Sequence, residues 1–154
     1  MPKIDIPSAP TGEGSRYPEP YAAPCKKRRW VKLGDAAGLT QFGVNLVTLA
    51  PGVWSSQRHW HEKEDEFVYL LAGELVLVTD EGETVMRPGD CAGFKAGVRN
   101  GHCLQNRSDA PAQFLVVGGR DETDWGEYPD IDLRFLPGRY AGMGGYSRKD
   151  GTPY

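Results

Sequence analysis

A sandwich or barrel of β-strands is the fold class this sequence predicts, and three observations carry the prediction. Short apolar runs alternate with turn signals from about Trp30 onward, as in "FGVNLVTLAPG", "DEFVYLLAGELVLVTDEGETV", "MRPGDCAGFKAG" and "HCLQNRSDAPAQFLVVGG". The runs are rich in Val, Leu, Phe and Tyr, which suit a pleated surface, and the breaks carry Gly, Pro, Asp and Asn. The segment "TDEGE" around Gly82 places Asp and Gly where a hairpin turn needs them. No stretch sustains the helical period, and "GDAAGL" makes one turn at most. At 154 residues the chain has room for one domain around a single core.

The elements follow in order. Residues 1–29 read as an arm: six of the twelve prolines fall between Pro2 and Pro24, with no apolar periodicity among them. Such a segment forms neither a helix nor a central strand and is expected to be extended. It closes in the basic run Lys26, Lys27, Arg28 and Arg29, read here as a solvated run at the domain's edge in preference to a targeting or nucleic-acid patch. Residues 30–120 carry the strand texture. Residues 121–154, rich in Gly, Pro and Tyr, are irregular and read as a cover over the barrel, favoured by their aromatics, or as a tail.

Charge and cysteine usage narrow the function. A net charge of -3 gives no reason to expect nucleic acid or a membrane as partner. The N-terminus has no apolar signal-peptide core, and the apolar runs are too short to span a bilayer. Cys25, Cys91 and Cys103 are odd in number and widely spaced, which argues against a disulfide framework and for a cytoplasmic protein.

The chain has three histidines, and two stand one residue apart in "RHWHEKEDEF". With residues 55–61 on a strand, His59 and His61 point the same way; on a helix they would point apart. The pair is therefore expected to act as a two-ligand claw on a strand. The polar "EKED" can turn the chain so that Glu66 heads the next strand facing the claw, with Val68 and Leu70 inward; Glu64 and Asp65 are rivals for the role. His102 opens another strand after "AGVRNG" and supplies the third imidazole. Three imidazoles and one carboxylate suit one divalent ion of Fe, Mn, Ni, Zn or Cu, with coordination positions left for a small-molecule substrate. Gln57 and Asn106 share faces with ligands and are candidates to orient them. Phe94 is a candidate to shape the pocket. Trp60 and Tyr69 run out of phase with the ligands and are expected on the other sheet face or at an interface. Lys95 and Arg99 flank the turn before His102 and are candidates to attract a phosphate or carboxylate. Tyr128, Asp130 and Asp132 in "YPDIDL" read as turn chemistry in preference to a lid.

Two of these segments resemble the motifs of the cupin superfamily. "GVWSSQRHWHEKEDEFVYLLAG" is similar to its first motif, with HxH, Glu66 and then Gly73 after six more residues; that interval selects Glu66 over Asp65. "GDCAGFKAGVRNGHCLQN" is similar to its second motif, with Gly89, Gly97, His102 and Asn106 in place. Lys95 stands where the second motif usually has proline, and the intervals from Gly52 to His59 and from Gly97 to His102 are longer than the common form. The resemblance covers about residues 30–120 and implies a jelly-roll barrel, or double-stranded β-helix, as one cupin domain. It also implies a metal held by His59, His61, Glu66 and His102. The texture resembles small single-domain bacterial cupins, some of which carry a sugar-phosphate isomerase label. The expected function is metal-assisted isomerisation of a sugar or sugar phosphate. A metal-dependent dioxygenase and a non-enzymatic sugar- or carboxylate-binding sensor are the alternatives. No residue is assigned as catalytic base. A homodimer is expected, with the arm extended along an open sheet edge of its own or the partner's barrel.

Overall fold

The computed structural model of the chain describes residues 3–154. Its elements are β1 (Thr11–Glu13), β2 (Arg29–Lys32), α1 (Leu33–Ala36), β3 (Phe42–Leu49), β4 (Glu66–Ala72), β5 (Leu75–Thr79) and β6 (Gly82–Met86), then β7 (Cys91–Phe94), β8 (Cys103–Gln105), β9 (Ala112–Gly119), β10 (Gly126–Tyr128), β11 (Leu133–Phe135) and β12 (Tyr146–Ser147). Six strands form one antiparallel sheet in the order β1-β2-β3-β9-β4-β7, and three form the facing sheet in the order β6-β5-β8. The fold is a jelly-roll barrel. Alternation along each strand makes the core: Val47, Leu49, Val68, Leu70 and Phe114 from the larger sheet meet Leu75, Met86 and Leu104 from the smaller. No helix among the described residues is long and apolar enough to cross a membrane.

Turn chemistry sets the corners. The hairpin at "TDEGE" joins β5 to β6, with Thr79 opposite Gly82 across Asp80 and Glu81. The helical reading of "GDAAGL" holds as the single turn α1. Gly73, between β4 and β5, has φ of 79°, and a Cβ there would lie 2.7 Å from Ala112 Cα, so this corner admits glycine alone.

One element departs from expectation. Residues 55–61 do not form a continuous strand. The chain touches β8 through two isolated bridges, Trp54 to Gln105 and His59 to His102. Four residues, Ser55 to Arg58, stand opposite Cys103 and Leu104, so the segment carries two extra residues as a bulge. The long interval before His59 is absorbed there. Arg58, at the end of the bulge, is clamped by Asp80 and by both oxygens of Asp130.

The arm and the C-terminal segment pack together over one end of the barrel. β1 pairs with β2 at the sheet edge, just after Pro10. Tyr128, Leu133 and Phe135 form a second apolar cluster, against which Tyr17, Tyr21, Ile131 and Tyr146 pack. Leu133 is fully buried within it. Leu133→Ala is expected to cost about 2–5 kcal/mol, read as a lower urea midpoint at unchanged slope. A loss below about 1 kcal/mol would mean that this cluster is not packed in solution.

Candidate metal centre

The site lies where the bulged segment, β4 and β8 meet. His59 and His61 leave the bulge on either side of Trp60, which turns away and packs edge-on against Trp125. Their Nε2 atoms stand 3.1 Å apart. Each ring is fixed through its other nitrogen. His59 Nδ1 lies 2.9 Å from the Gln57 carbonyl, which can only accept, so Nδ1 carries the proton. His61 Nδ1 lies 2.7 Å from Asp124 Oδ2, and the same tautomer follows. Both Nε2 atoms therefore aim lone pairs at one region.

Glu66, the first residue of β4, is half-buried and reaches the same region. Its Oε2 lies 3.9 Å from His61 Nε2 and its Oε1 3.5 Å from His102 Nε2. His102 is buried and neither ring nitrogen has a hydrogen-bond partner. Its ring stacks flat on Phe94 at 3.6 Å, and His59 is 5.0 Å away between ring centres. Burial, and then repulsion from the two neighbouring imidazoles, lower the His59 pKa well below its ordinary value. Burial pushes the Glu66 carboxyl up, but His102 and the other imidazoles outweigh it and bring the pKa to about 2. A neutral His59 and an ionised Glu66 are the states in which these two groups can ligate a metal.

The donor set fits a metal ion. Two nitrogens bound to one ion at about 2.1 Å and at right angles stand about 3.0 Å apart, close to the His59–His61 separation. Two lone pairs facing each other, and a buried imidazole with no partner, are costly without a cation among them. His59, His61 and Glu66 can hold an ion together, and His102 adjoins them.

Behind His61 stands a second layer. Asp124 is 1% exposed; it also accepts the Lys63 N–H at 2.8 Å and an Arg139 Nη2 bond at 2.9 Å. Arg139 Nη2 donates to Glu64 at 2.5 Å, and the Tyr140 hydroxyl donates to Glu64 at 2.8 Å. Glu64 therefore lies on the Nδ1 side of His61, away from the cluster, while Asp65 accepts the Ala96 N–H. Neither competes with Glu66. Asp124, Arg139 and Tyr140 were not legible in the sequence: they lie in a segment without periodicity, and only folding brings Asp124 to His61.

The remaining candidates divide. Phe94 joins the site by stacking. The Gln57 side chain does not; it donates to the Tyr21 carbonyl at 2.7 Å, and only its backbone orients His59. Asn106 does not orient a ligand either. Fully buried, it donates to the Leu49 and Ala110 carbonyls and accepts from Ser108, so it braces the turn after β8. Arg99 lies over Trp60 at 5.0 Å, near Glu62, outside the cavities described below. Lys95 is exposed and lines a cavity of about 320 Å³ that it shares with His61, Phe94 and His102. A larger open cavity of about 920 Å³ holds all four cluster residues in its wall, with Tyr128, Phe135 and Tyr146 from the C-terminal segment.

Residues 45–118 match the family model described as a cupin domain. A crystal structure of a sugar phosphate isomerase from a cupin superfamily, from Silicibacter pomeroyi, is 50% identical over 99% of this chain and 96% of that one, with a TM-score of 0.94. A protein of Acidithiobacillus ferrooxidans, provisionally named a sugar phosphate isomerase, is 29% identical over 83% of this chain and 80% of its own, with a TM-score of 0.75. The tetracenomycin polyketide synthase protein TcmJ of Streptomyces glaucescens is 28% identical over 81 residues, 53% of this chain; the match spans about half, 52%, of TcmJ.

The support behind His61 is testable. Asp124→Asn is expected to weaken metal affinity about 10–100-fold in competition titrations against a chelator. Gln57→Ala, which leaves the backbone carbonyl in place, is expected to change it little. Equal affinity in wild type and Asp124→Asn would remove the orienting role.

Proposed function

Because the chain belongs to the cupin superfamily, we propose that it is a metal-dependent enzyme that isomerises a sugar or sugar phosphate, with His59, His61, Glu66 and His102 holding one divalent ion. The observation that carries this reading is the convergence of three imidazoles and one carboxylate on the wall of a cavity large enough for a small polar molecule. The likeness to the Silicibacter pomeroyi isomerase supports the substrate class.

A divalent ion bound there supplies Lewis-acid polarisation of a hydroxyl or carbonyl oxygen. The chain's own residues prepare that chemistry. The Gln57 carbonyl and Asp124 hold the protons on the Nδ1 atoms of His59 and His61, which leaves both Nε2 atoms free. Phe94 locks the plane of His102. Tyr128, 5.6 Å from His59 between ring centres, and Phe135, 5.0 Å from His61, cover the imidazoles and keep bulk water from them. Burial first, and then neighbouring tyrosines, raise the Tyr128 pKa well above its ordinary value.

Elemental analysis of protein purified without chelator or a metal-affinity tag is expected to find about one divalent ion per chain, lost in His61→Ala and His102→Ala. Activity on sugar phosphates should vanish on chelation, return with the metal, persist without oxygen and exchange a substrate proton with solvent. Full metal occupancy in His61→Ala would refute the ligand set. Turnover that stops in anaerobic buffer would replace the isomerase with an oxygenase, and metal-dependent binding without turnover would replace it with a sensor.

We also propose a cytoplasmic homodimer. Support for the compartment comes from Cys25, Cys91 and Cys103, all free. Support for the dimer comes from the outer face of the larger sheet. Phe67, Val117 and Val44 form one cross-strand row, and Tyr69, Leu115 and Leu46 the next. Phe67 and Tyr69 are 44% and 40% exposed, an apolar surface that a partner would cover. Light scattering should give twice the 17.0 kDa chain mass, and Tyr69→Glu should give a folded monomer. A wild-type monomer would refute the dimer.

A further inference from the structure

Nine of the eleven arginines lie within 4 Å of a carboxylate. The two that do not, among the described residues, are Arg16 and Arg28, and both line the large cavity that holds the His/Glu cluster. Arg28 is not a loose surface side chain. Its guanidinium lies over Trp30 at 4.7 Å, and its Nη1 donates to the Ser55 carbonyl at 2.5 Å. Stacking and a neutral acceptor orient the group and leave its charge unmatched. Its Nε is buried with no hydrogen-bond partner. Ser15 Oγ, in the same wall, is also buried and unpartnered. Arg16 stands exposed beside it.

The acidic residues lining this cavity are all engaged elsewhere. Glu13 pairs with Arg29, Asp35 with Arg120, and Glu64 with Arg139, while Glu66 belongs to the cluster. A buried, oriented guanidinium edge and a buried hydroxyl with no internal acceptor make an incomplete site. What completes it is an oxyanion, which accepts from the guanidinium fork and from the serine together. We infer that Ser15, Arg16 and Arg28 of the N-terminal arm form the seat for the anionic end, phosphate or carboxylate, of the ligand whose other end reaches the His/Glu cluster. One aromatic wall joins the two ends: Tyr128 packs on His59, and Tyr17 packs on Tyr128 at 5.4 Å between ring centres. The seat replaces Lys95 and Arg99 as the anion-binding group. It rests on the proposed small-molecule function, and it restricts the substrates to molecules carrying a fixed negative charge.

The test uses the full chain stripped of metal by chelation, with inorganic phosphate and acetate as probes in calorimetric titrations. One of the two is expected to bind. Stronger binding of phosphate assigns a phosphate monoester, and stronger binding of acetate assigns a carboxylate. Arg28→Gln should weaken the bound probe about 10–100-fold. Arg28→Lys, which keeps the charge without the fork, and Ser15→Ala should each weaken it several-fold, so the seat remains testable if Arg28→Gln fails to fold. Arg107→Gln, at an exposed residue outside the cavity wall, should leave binding unchanged. His61→Ala should keep anion binding while losing metal, which separates failure of the seat from failure of the metal reading. Absence of binding by both probes, or binding unaffected by the Ser15 and Arg28 substitutions, would overturn the proposal.

Discussion

The rest of the site depends on one constraint: two imidazole nitrogens whose lone pairs are held facing each other, 3.1 Å apart, inside the barrel. Each tautomer is fixed from outside, His59 by a backbone carbonyl within the bulge and His61 by a buried carboxylate of the C-terminal segment. Neither partner lies on a regular strand. The core strands supply the rigid wall that carries Glu66 and the short β8 beside His102, but the aim of the histidine pair is set by irregular backbone. That division is physical. A regular ladder spends its peptide groups on neighbouring strands, whereas a bulge frees a carbonyl to accept from a side chain.

The same constraint explains why the C-terminal segment is tied down so heavily. Asp124 is useful to His61 only if it is immobile, and its remaining acceptor capacity goes to the Lys63 N–H and to Arg139. Arg139 in turn is shared with Glu64, which accepts from Tyr140 and from the Asp121 N–H. An unpaired charge in that network would be expensive to bury, so its members are coupled and each holds the others in register. Arg58 performs a similar task beside the bulge, where Asp80 and Asp130 anchor its far side. The strength of these pairs lies in fixing geometry more than in adding net stability.

Legibility in the sequence followed the same line. Where a regular period governs, the residues could be read: β4 begins at Glu66 and sends Val68 and Leu70 inward, whereas the choice of Glu66 over Asp65 rests on the motif interval to Gly73. Gly73 was legible because a close-packed corner with positive φ leaves no other choice, and Gly52, Gly89 and Gly97 share its positive φ. Extended backbone suffices to turn His59 and His61 to one side where the strand expected there is broken. Gln57 and Asn106 failed because sharing a face with a ligand does not determine which acceptor a side chain finds. In the basic run, Lys26 and Arg29 are solvated and pair with Glu19 and Glu13 at the surface, whereas Arg28 turns over Trp30. Asp124 lies 63 residues from its histidine, and no local pattern encodes that distance.

The placement of unmatched charge gives the cavity a direction. At the His/Glu cluster, negative charge on Glu66 and three imidazoles leave a demand for a cation; at the arm, Arg28 and Ser15 leave a demand for an anion. These demands are complementary to a molecule held at both ends, anionic at one and oxygen-rich at the other. Such holding matters for chemistry at a polarised oxygen. In the proposed function, binding energy gained at a remote charged group, which takes no part in bond changes, would fix the reacting atoms at the His/Glu end and lower the entropic part of the barrier. The arm is then a wall of the site as well as a cover for a sheet edge. Its prolines stiffen the flanks of the segment that presents Ser15 and Arg16, so less freedom is lost when the ligand is gripped.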